Sequence, residues 1–129
     1  LNKLKQANLY DNEAWQLIDK YQQHLENFIT SPVYQLMVNA DYLYREKEFS
    51  MLENGQIIHG IFDVVCIKDN QITIIDYKTD NLNKNTSKEM ISLHKPQMDY
   101  YKKILARVFP QANIQAIVYY LYINKYVTI

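Results

Sequence analysis

Two aspartates and a lysine near the middle of the chain have residue types that acid–base and metal chemistry require. Asp63 lies in one apolar segment, and the next apolar segment carries Asp76 and Lys78. The two segments read as antiparallel strands joined by a turn at Asp69-Asn70. Counting back from that turn along both strands places Asp63 directly opposite Asp76, with their Cβ atoms roughly 4.5–5.5 Å apart.

Opposed carboxylates repel each other, and apolar neighbours strengthen that repulsion. Such neighbours are present here: Ile61, Ile72 and Ile74. A divalent cation held by both carboxylates is the simplest compensation, and the backbone carbonyl of Tyr77 could add an oxygen ligand. Strand alternation places the Lys78 amine on the same face as Asp76, where it could act on a water or on a phosphate. The alternative is an ordinary, exposed Asp–Lys ion pair at a strand end.

Helices and strands around these residues can be predicted from periodicity. Apolar residues three and four apart predict a helix over Asp11–Phe28, and Ser31-Pro32 begins a second helix that ends near Asn39. A long helix ends before Pro110, and Pro96 is expected to kink or split it. The strands are predicted at 42–52, 57–67, 72–78, 114–123 and 126–129, with the long helix at 87–109. The order α-α-β-β-β-α-β-β predicts an α/β fold.

The strand at 42–52 and its turn carry two further predictions. Strict alternation places one set of side chains on a single face and Phe49 on the other. That set is Tyr42, Tyr44, Glu46 and Glu48. Asn54-Gly55 predicts a tight hairpin turn after this strand, because such turns need positive φ angles.

Length and composition exclude several classes of protein. The chain has 129 residues, 14 basic and 14 acidic, with zero formal net charge, which suits one domain and lacks a basic excess. The single cysteine, Cys66, excludes an internal disulfide or a four-cysteine cluster and reads as a small apolar strand residue. No apolar run is long enough for a membrane span and no signal peptide is visible, so we predict no membrane contact and a cytoplasmic setting.

Taken together, the motifs resemble the RecB-type nuclease domain of the PD-(D/E)xK superfamily. The matching segments are Gly60–Asp63, Ile75–Asp80 and a Q-x-x-x-Y pattern at Gln97 and Tyr101. Arg45–Phe49 also looks like the R-E-x-P-F strand of that family, although the usual proline is missing. Within the superfamily, the chain is most similar to the C-terminal nuclease domain of AddA, the helicase/nuclease component of the AddAB complex.

The resemblance covers residues 28–129 and implies a restriction-endonuclease-like fold, a mixed sheet flanked by helices. It implies metal-dependent hydrolysis of DNA phosphodiester bonds by an exonuclease that uses Mg²⁺, with Mn²⁺ as a substitute. The residue roles that it implies are metal ligation by Asp63 and Asp76, a nearby acid at Glu46, catalysis by Lys78, and positioning of substrate or lysine by Gln97 and Tyr101. Without the resemblance, Gln97 reads as a solvated residue and Tyr101 as a core residue.

The resemblance also implies a setting. The partners would be DNA, single-stranded when it reaches the site, and the second subunit of a helicase–nuclease heterodimer, with ATP used only by the parent helicase. Because the chain begins at Leu1 in polar sequence, we expect residues 1–129 to be one truncated domain from the C-terminal part of such a protein. Two alternatives stay open: a catalytically silent nuclease-like domain that scaffolds a partner subunit or guides DNA, and a small structural metal-binding domain.

Histidines are the point at which the chain departs from the family pattern. The family has a histidine ligand on an upstream helix, and His24 lies too close to Glu46 to match it, so we expect that ligand to precede this sequence. His24 is predicted to be a surface residue. His59 shares the strand parity of Asp63, which makes a ligand role possible. His94 reads as a solvated residue, or as one near the path of DNA.

Overall fold

The computed structural model describes residues 12–129, with side chains from Trp15 onward. Over this part of the chain it contains three helices and five strands in the predicted order. The helices are α1 (Asn12–Ile29), α2 (Pro32–Val38) and α3 (Ser87–Val108), and the strands are β1 (Tyr42–Glu53), β2 (Gln56–Lys68), β3 (Gln71–Lys78), β4 (Asn113–Tyr120) and β5 (Lys125–Thr128). The predicted helix start at Asp11 lies outside the described residues. β4 ends before the predicted Ile123, where the chain turns towards β5.

One mixed sheet with strand order β1-β2-β3-β4-β5 forms the centre of the fold. β3 and β4 are parallel, and the other neighbouring pairs are antiparallel. A parallel pair needs a crossover connection, which α3 supplies on one face of the sheet. Residues of α1 and α2 pack against the opposite face. The predicted mixed sheet between helices is therefore confirmed.

Tight turns set the register of the first three strands. Asn54 and Gly55 have φ values of +51° and +78°, as the predicted hairpin turn between β1 and β2 requires. Between β2 and β3, Lys68 pairs with Gln71, so the turn that we predicted at Asp69-Asn70 is confirmed.

The proline inside α3 does not split the helix, so that part of the prediction is wrong. Pro96 lies within one continuous helix, and Pro96 and Ser92, the residue whose carbonyl loses its partner, are both exposed. Water can satisfy that carbonyl. A capping box between Thr86 and Glu89 stabilises the first turn. Buried side chains anchor α3 on both sides of Pro96: Met90, Met98, Ile104 and Leu105.

The alternation of side chains between the two faces of the sheet is interrupted at one position in β1 and at the facing position in β2. The ladder between these strands leaves out the facing residues Glu46 and Asp63. Glu46 has a φ of +50°, in the left-handed region that few non-glycine residues adopt. Phe62 and Val65 both pack towards α3, although strict alternation would point them to opposite faces. Each strand therefore changes its facing at this level, next to Asp63.

The break corrects the predicted face assignment in β1. Tyr44 pairs with Val65, which packs towards α3, so Tyr44 lies on that side of the sheet. Phe49 packs on the same side, with its ring centroid 4.9 Å from that of Phe62. The prediction that Tyr44 and Phe49 lie on opposite faces is wrong, because it assumed an uninterrupted strand.

Two expectations from composition can be compared with the structure. Cys66 is buried among apolar residues of the sheet, and burial raises the pKa of its thiol to about 11, as fits a small apolar strand residue. Within residues 12–129, no helix is both long and apolar enough to cross a membrane.

Candidate active site

Asp63 and Asp76 meet where the β2–β3 ladder ends. The ladder runs from Lys68–Gln71 to Val64–Ile75, and the two aspartates lie one step beyond that last pair. Asp63 Oδ2 accepts a hydrogen bond of 2.8 Å from the backbone N–H of Tyr77, which holds this carboxylate against β3. The register that we predicted from the turn is confirmed.

Asp76 is buried, with 5% of its surface exposed. Burial raises the pKa of Asp76, and the negative charge of Asp63 raises it further, while the neighbouring Lys78 ammonium lowers it. The raising effects prevail. The ionised carboxylate is therefore poorly stabilised by the protein atoms around it.

Lys78 is the nearest cation to this carboxylate. Its Nζ lies 2.9 Å from Asp76 Oδ2 as an ion pair, and this buried oxygen accepts no hydrogen bond from the residues that the structure describes. Lys78 Nζ also donates to Gln97 Oε1 at 2.8 Å. One ammonium thus connects β3 to α3, and Asp76 Oδ2 keeps acceptor capacity for another positive group.

Tyr101 lies on the face of α3 that packs against the sheet, and Gln97, one turn earlier, is exposed. Gln97 Nε2 donates to Tyr101 Oη at 3.2 Å, and the Tyr101 ring packs edge-on against Phe49 and Phe62. The aromatic contacts fix Tyr101, which in turn orients the Gln97 amide towards Lys78. Gln97 is exposed, as expected for a solvated residue, but it contacts both Lys78 and Tyr101, and the positioning role of the Q-x-x-x-Y pattern stays a prediction.

Glu46 lies on β1 at the position that faces Asp63, but it is exposed. Within the described residues, no three acids, histidines or cysteines come close enough together to hold a metal ion. Glu46 is thus not gathered with Asp63 and Asp76, and its role as an acid near a metal stays a prediction. The Tyr77 carbonyl as a ligand also stays a prediction.

The three histidines occupy different surroundings. His24 is half-buried, with its ring 5.1 Å from that of Tyr122, so the prediction of a surface position holds only in part. His59 Nδ1 is hydrogen-bonded to Ser50 Oγ at 2.7 Å, far along the hairpin. Because β2 changes its facing near Asp63, shared parity no longer brings His59 to the carboxylates.

His94 and Tyr120 are site neighbours that the sequence reasoning missed. Their ring centroids are 5.6 Å apart, and Tyr120 is fully buried. Burial lowers the pKa of His94, helped by the charge of Lys78. Burial also raises the pKa of Tyr120 to about 12, helped by Asp80 and Asp76. The signal available for His94 was its spacing of three residues from Gln97, which places both on one helix face.

Oxygen donors dominate this arrangement, and they suit a hard divalent cation. Two carboxylates share one site, and within the described part of the chain a buried oxygen of Asp76 accepts no hydrogen bond and has the Lys78 ammonium 2.9 Å away. A cation would relieve both the repulsion between the acids and the cost of burying Asp76. The residues present therefore fit a metal ion held between Asp63 and Asp76.

A separate pocket of about 430 Å³ lies at the opposite end of β3 from Asp76 and Lys78, beside the β2–β3 turn. Several side-chain amides line it, but they are already paired: Gln115 donates to Thr73 and Asn113 donates to Gln71. We assign no ligand to this pocket.

Comparison with known proteins agrees with the geometry. The family model of the PD-(D/E)XK nuclease superfamily matches residues 3–127. The AddA-type subunit of the ATP-dependent helicase/nuclease of Staphylococcus haemolyticus is 32% identical over 126 residues, which cover 84% of this chain and 10% of that protein. The subunit of the same name in Staphylococcus saprophyticus is 31% identical over 112 residues, covering 73% of this chain and 9% of that protein.

A third relative, the subunit of that name in Streptococcus pneumoniae, is 31% identical over 87 residues, covering 63% of this chain and 7% of that protein. The chain spans a tenth or less of the length of these relatives. Nucleases of the matching superfamily generally use divalent metal ions. This chain belongs to the PD-(D/E)XK nuclease superfamily and is related in sequence to the AddA-type subunit of ATP-dependent helicase/nucleases.

Proposed function

We propose that this domain is a Mg²⁺-dependent exonuclease that hydrolyses phosphodiester bonds of DNA. The observation that carries the proposal is the buried Asp76 carboxylate, which lies beside Asp63 and forms its one ion pair among the described residues with Lys78. Two acids and a lysine in this arrangement are the groups that metal-assisted phosphodiester hydrolysis needs.

In this mechanism Asp63, Asp76 and the Tyr77 carbonyl would hold the cation, and Glu46, which faces Asp63 from β1, would be a nearby acid. When bound, Mg²⁺ polarises the scissile phosphate and lowers the pKa of a bound water. Lys78 offsets negative charge on the phosphate and orients the attacking water or accepts its proton.

The remaining site residues act by positioning. Gln97 and Tyr101 restrict where the Lys78 amine can lie, since Lys78 donates to Gln97 and Gln97 donates to Tyr101. A catalytic group held in this way loses less entropy when the substrate binds.

We further propose that the domain works as the nuclease part of a larger helicase–nuclease. The relatives at 31–32% identity are named as components of an ATP-dependent helicase/nuclease, and this chain spans only a tenth or less of their length. In that setting ATP is used by the helicase part, and a second subunit completes a heterodimer. The site would receive single-stranded DNA in the cytoplasm. The process served would be double-strand-break repair and recombination.

The test replaces Asp76 by asparagine in the intact protein and measures degradation of linear DNA with Mg²⁺. Asp76→Asn removes the negative charge with little change of shape, and we expect the rate to fall by about 100-fold or more. Asp99→Asn is the matched control, because Asp99 is an exposed residue of α3 that pairs with Lys95.

Unchanged degradation by Asp76→Asn would refute the assignment of the site. A wild-type protein that binds DNA but never degrades it, with Mg²⁺ or Mn²⁺, would instead favour a silent domain that scaffolds a partner or guides DNA.

A further inference from the structure

Buried polar atoms without a hydrogen-bond partner gather beside Lys78. In the part of the chain that the structure describes, four side-chain atoms are in this state: His24 Nε2, Asp76 Oδ2, His94 Nε2 and Tyr120 Oη. Three of the four lie on the α3 side of the sheet or on α3 itself. Unpaired buried polar groups are rare in folded proteins, and each one requires an explanation.

Tyr120 and His94 are neighbours of Lys78 in the fold. Tyr120 is the partner of Lys78 in the parallel β3–β4 register, and it packs in the cluster on the α3 side. The His94 ring contacts the Tyr120 ring from α3. The charge of Lys78 acts directly on His94, and that of Asp76 acts on both His94 and Tyr120.

A cation bound to the same carboxylate oxygen would disfavour the present position of the Lys78 amine. Nζ lies 2.9 Å from Asp76 Oδ2, where a divalent cation would both repel the ammonium and compete for that oxygen. Gln97 can retain one N–H of the ammonium, but an ammonium has three donors and the others then need acceptors.

His94 and Tyr120 can supply those acceptors. A neutral imidazole accepts through its unprotonated nitrogen, and a phenol oxygen accepts while keeping its own proton. Burial favours the neutral form of both groups, because it lowers the pKa of His94 and raises the pKa of Tyr120. Neither atom has another partner in the described structure.

We propose that His94 and Tyr120 are positioning residues that accept the Lys78 amine through Nε2 and Oη when a divalent cation engages Asp76. The inference rests on the proposed function. Lys78 then has two positions: one on Asp76 in the metal-free protein, and one between Gln97, His94 and Tyr120 in the loaded site. The second position keeps the lysine close to the reacting phosphate without competing for the metal ligand.

The test measures Mn²⁺ binding to the intact protein by titration calorimetry, without any activity assay. His94→Leu and Tyr120→Phe should each weaken Mn²⁺ binding by about tenfold, the effect of losing one hydrogen bond to a charged group. The matched controls are His24→Leu, which removes an unpaired buried histidine nitrogen elsewhere, and Tyr119→Phe, which alters the neighbouring tyrosine on the opposite face of β4. Both controls should leave the Mn²⁺ affinity unchanged.

A Lys78→Met background separates positioning from a purely structural effect. Without the amine, His94→Leu and Tyr120→Phe should no longer change the Mn²⁺ affinity, and Lys78→Met alone should bind Mn²⁺ at least as tightly as wild type. A loss that persists in the Lys78→Met background, or no loss in the wild-type background, overturns the inference and leaves the proposed function standing.

Binding of Mn²⁺ that does not depend on Asp76, measured with Asp76→Asn, would instead overturn the proposed function and this inference with it. Thermal unfolding checks the fold of each variant. Tyr120→Phe removes only a hydroxyl that has no hydrogen-bond partner, so its melting temperature should not fall.

Discussion

At the scale of single residues, the site depends on side chains that contribute no chemistry themselves. Gly60 is the clearest case. A Cβ added at this position would lie 2.2 Å from Cζ of Phe49, so the aromatic ring occupies the space that any other residue would need. Phe49 in turn packs against Phe62 and Tyr101, which limits how far its ring can move. The glycine of the G-I-F-D segment is thus explained by the close approach of a ring that supports Tyr101.

We predict that Gly60→Ala lowers the free energy of unfolding by about 1–3 kcal/mol, because the added methyl group overpacks a restrained aromatic cluster. Urea unfolding monitored by fluorescence or circular dichroism measures the change. In a Phe49→Leu background the same substitution should cost clearly less. An equal cost in both backgrounds would show that contact with the ring is not the cause.

The backbone of Glu46 has a conformation that is unusual within a strand. The other non-glycine residues with positive φ among the described residues are Asn54, Asp69 and Asn124, types that tolerate this conformation in turns. Glu46 adopts it within a strand, beside Asp63. Strained backbone of this kind clusters at functional sites, which agrees with the break in alternation at the level of the acids.

At the scale of elements, α3 must keep a fixed position relative to the β1–β2 hairpin, because α3 carries Gln97 and Tyr101. Glu53 ties the two together at the end of β1: its carboxylate accepts from Lys103 at 3.2 Å and from Tyr100 at 3.3 Å, both on α3. Arg107 lies 3.7 Å away. The hydrogen bond and charge of Lys103 are the main causes that lower the pKa of Glu53.

The lowered pKa gives a pH-dependent prediction. An acid whose pKa is lower in the folded than in the unfolded protein stabilises the fold above its usual pKa, and this contribution is lost as the pH falls through the folded-state pKa. We expect Glu53→Gln to melt at a lower temperature than wild type at pH 7, and the difference to shrink towards zero below the usual glutamate range. Melting temperatures measured from pH 7 to pH 3 test this. A constant difference would mean that charge is not responsible.

Glu48→Gln provides the control for this prediction. It makes the same change on the same strand, at an exposed glutamate with no ion pair among the described contacts. Its melting temperature should follow that of wild type across the whole pH range.

At the scale of the whole molecule, the fold contains a buried negative charge that lowers its stability. The Asp76 carboxylate is buried beside Asp63, and its pKa is raised. An acid with a raised folded-state pKa disfavours the folded protein once the pH exceeds its usual value, so the ionised Asp76 destabilises the metal-free protein at neutral pH. A carboxylate at position 76 therefore lowers the stability of the metal-free protein, whereas the proposed function requires it.

We predict that Asp76→Asn raises the melting temperature of the protein at pH 7 in the presence of a chelator. The gain should decrease as the pH falls into the range in which Asp76 is protonated. A lower melting temperature at pH 7 would show that the pairing with Lys78 outweighs the cost of burying the charge.

Much of this organisation can be read from the sequence, because its signals are local. Apolar periodicity predicts the helices and strands, and Asn54-Gly55 and Asp69-Asn70 set two turns. The second turn sets the register that brings Asp63 opposite Asp76. The positions of the acids and of Lys78 follow from local counting along two neighbouring strands.

The tertiary structure decided the features that depend on contacts between distant segments of the chain. The paired break at Glu46 and Asp63 has no signal in the alternation of either strand, so alternation placed Tyr44 on the wrong face relative to Phe49. The surroundings of His94 depend on the parallel crossover, which brings α3 over Lys78 and Tyr120. Spacing along one chain determines which residues share an element, whereas burial and hydrogen-bond partners depend on contacts between elements that are distant in sequence.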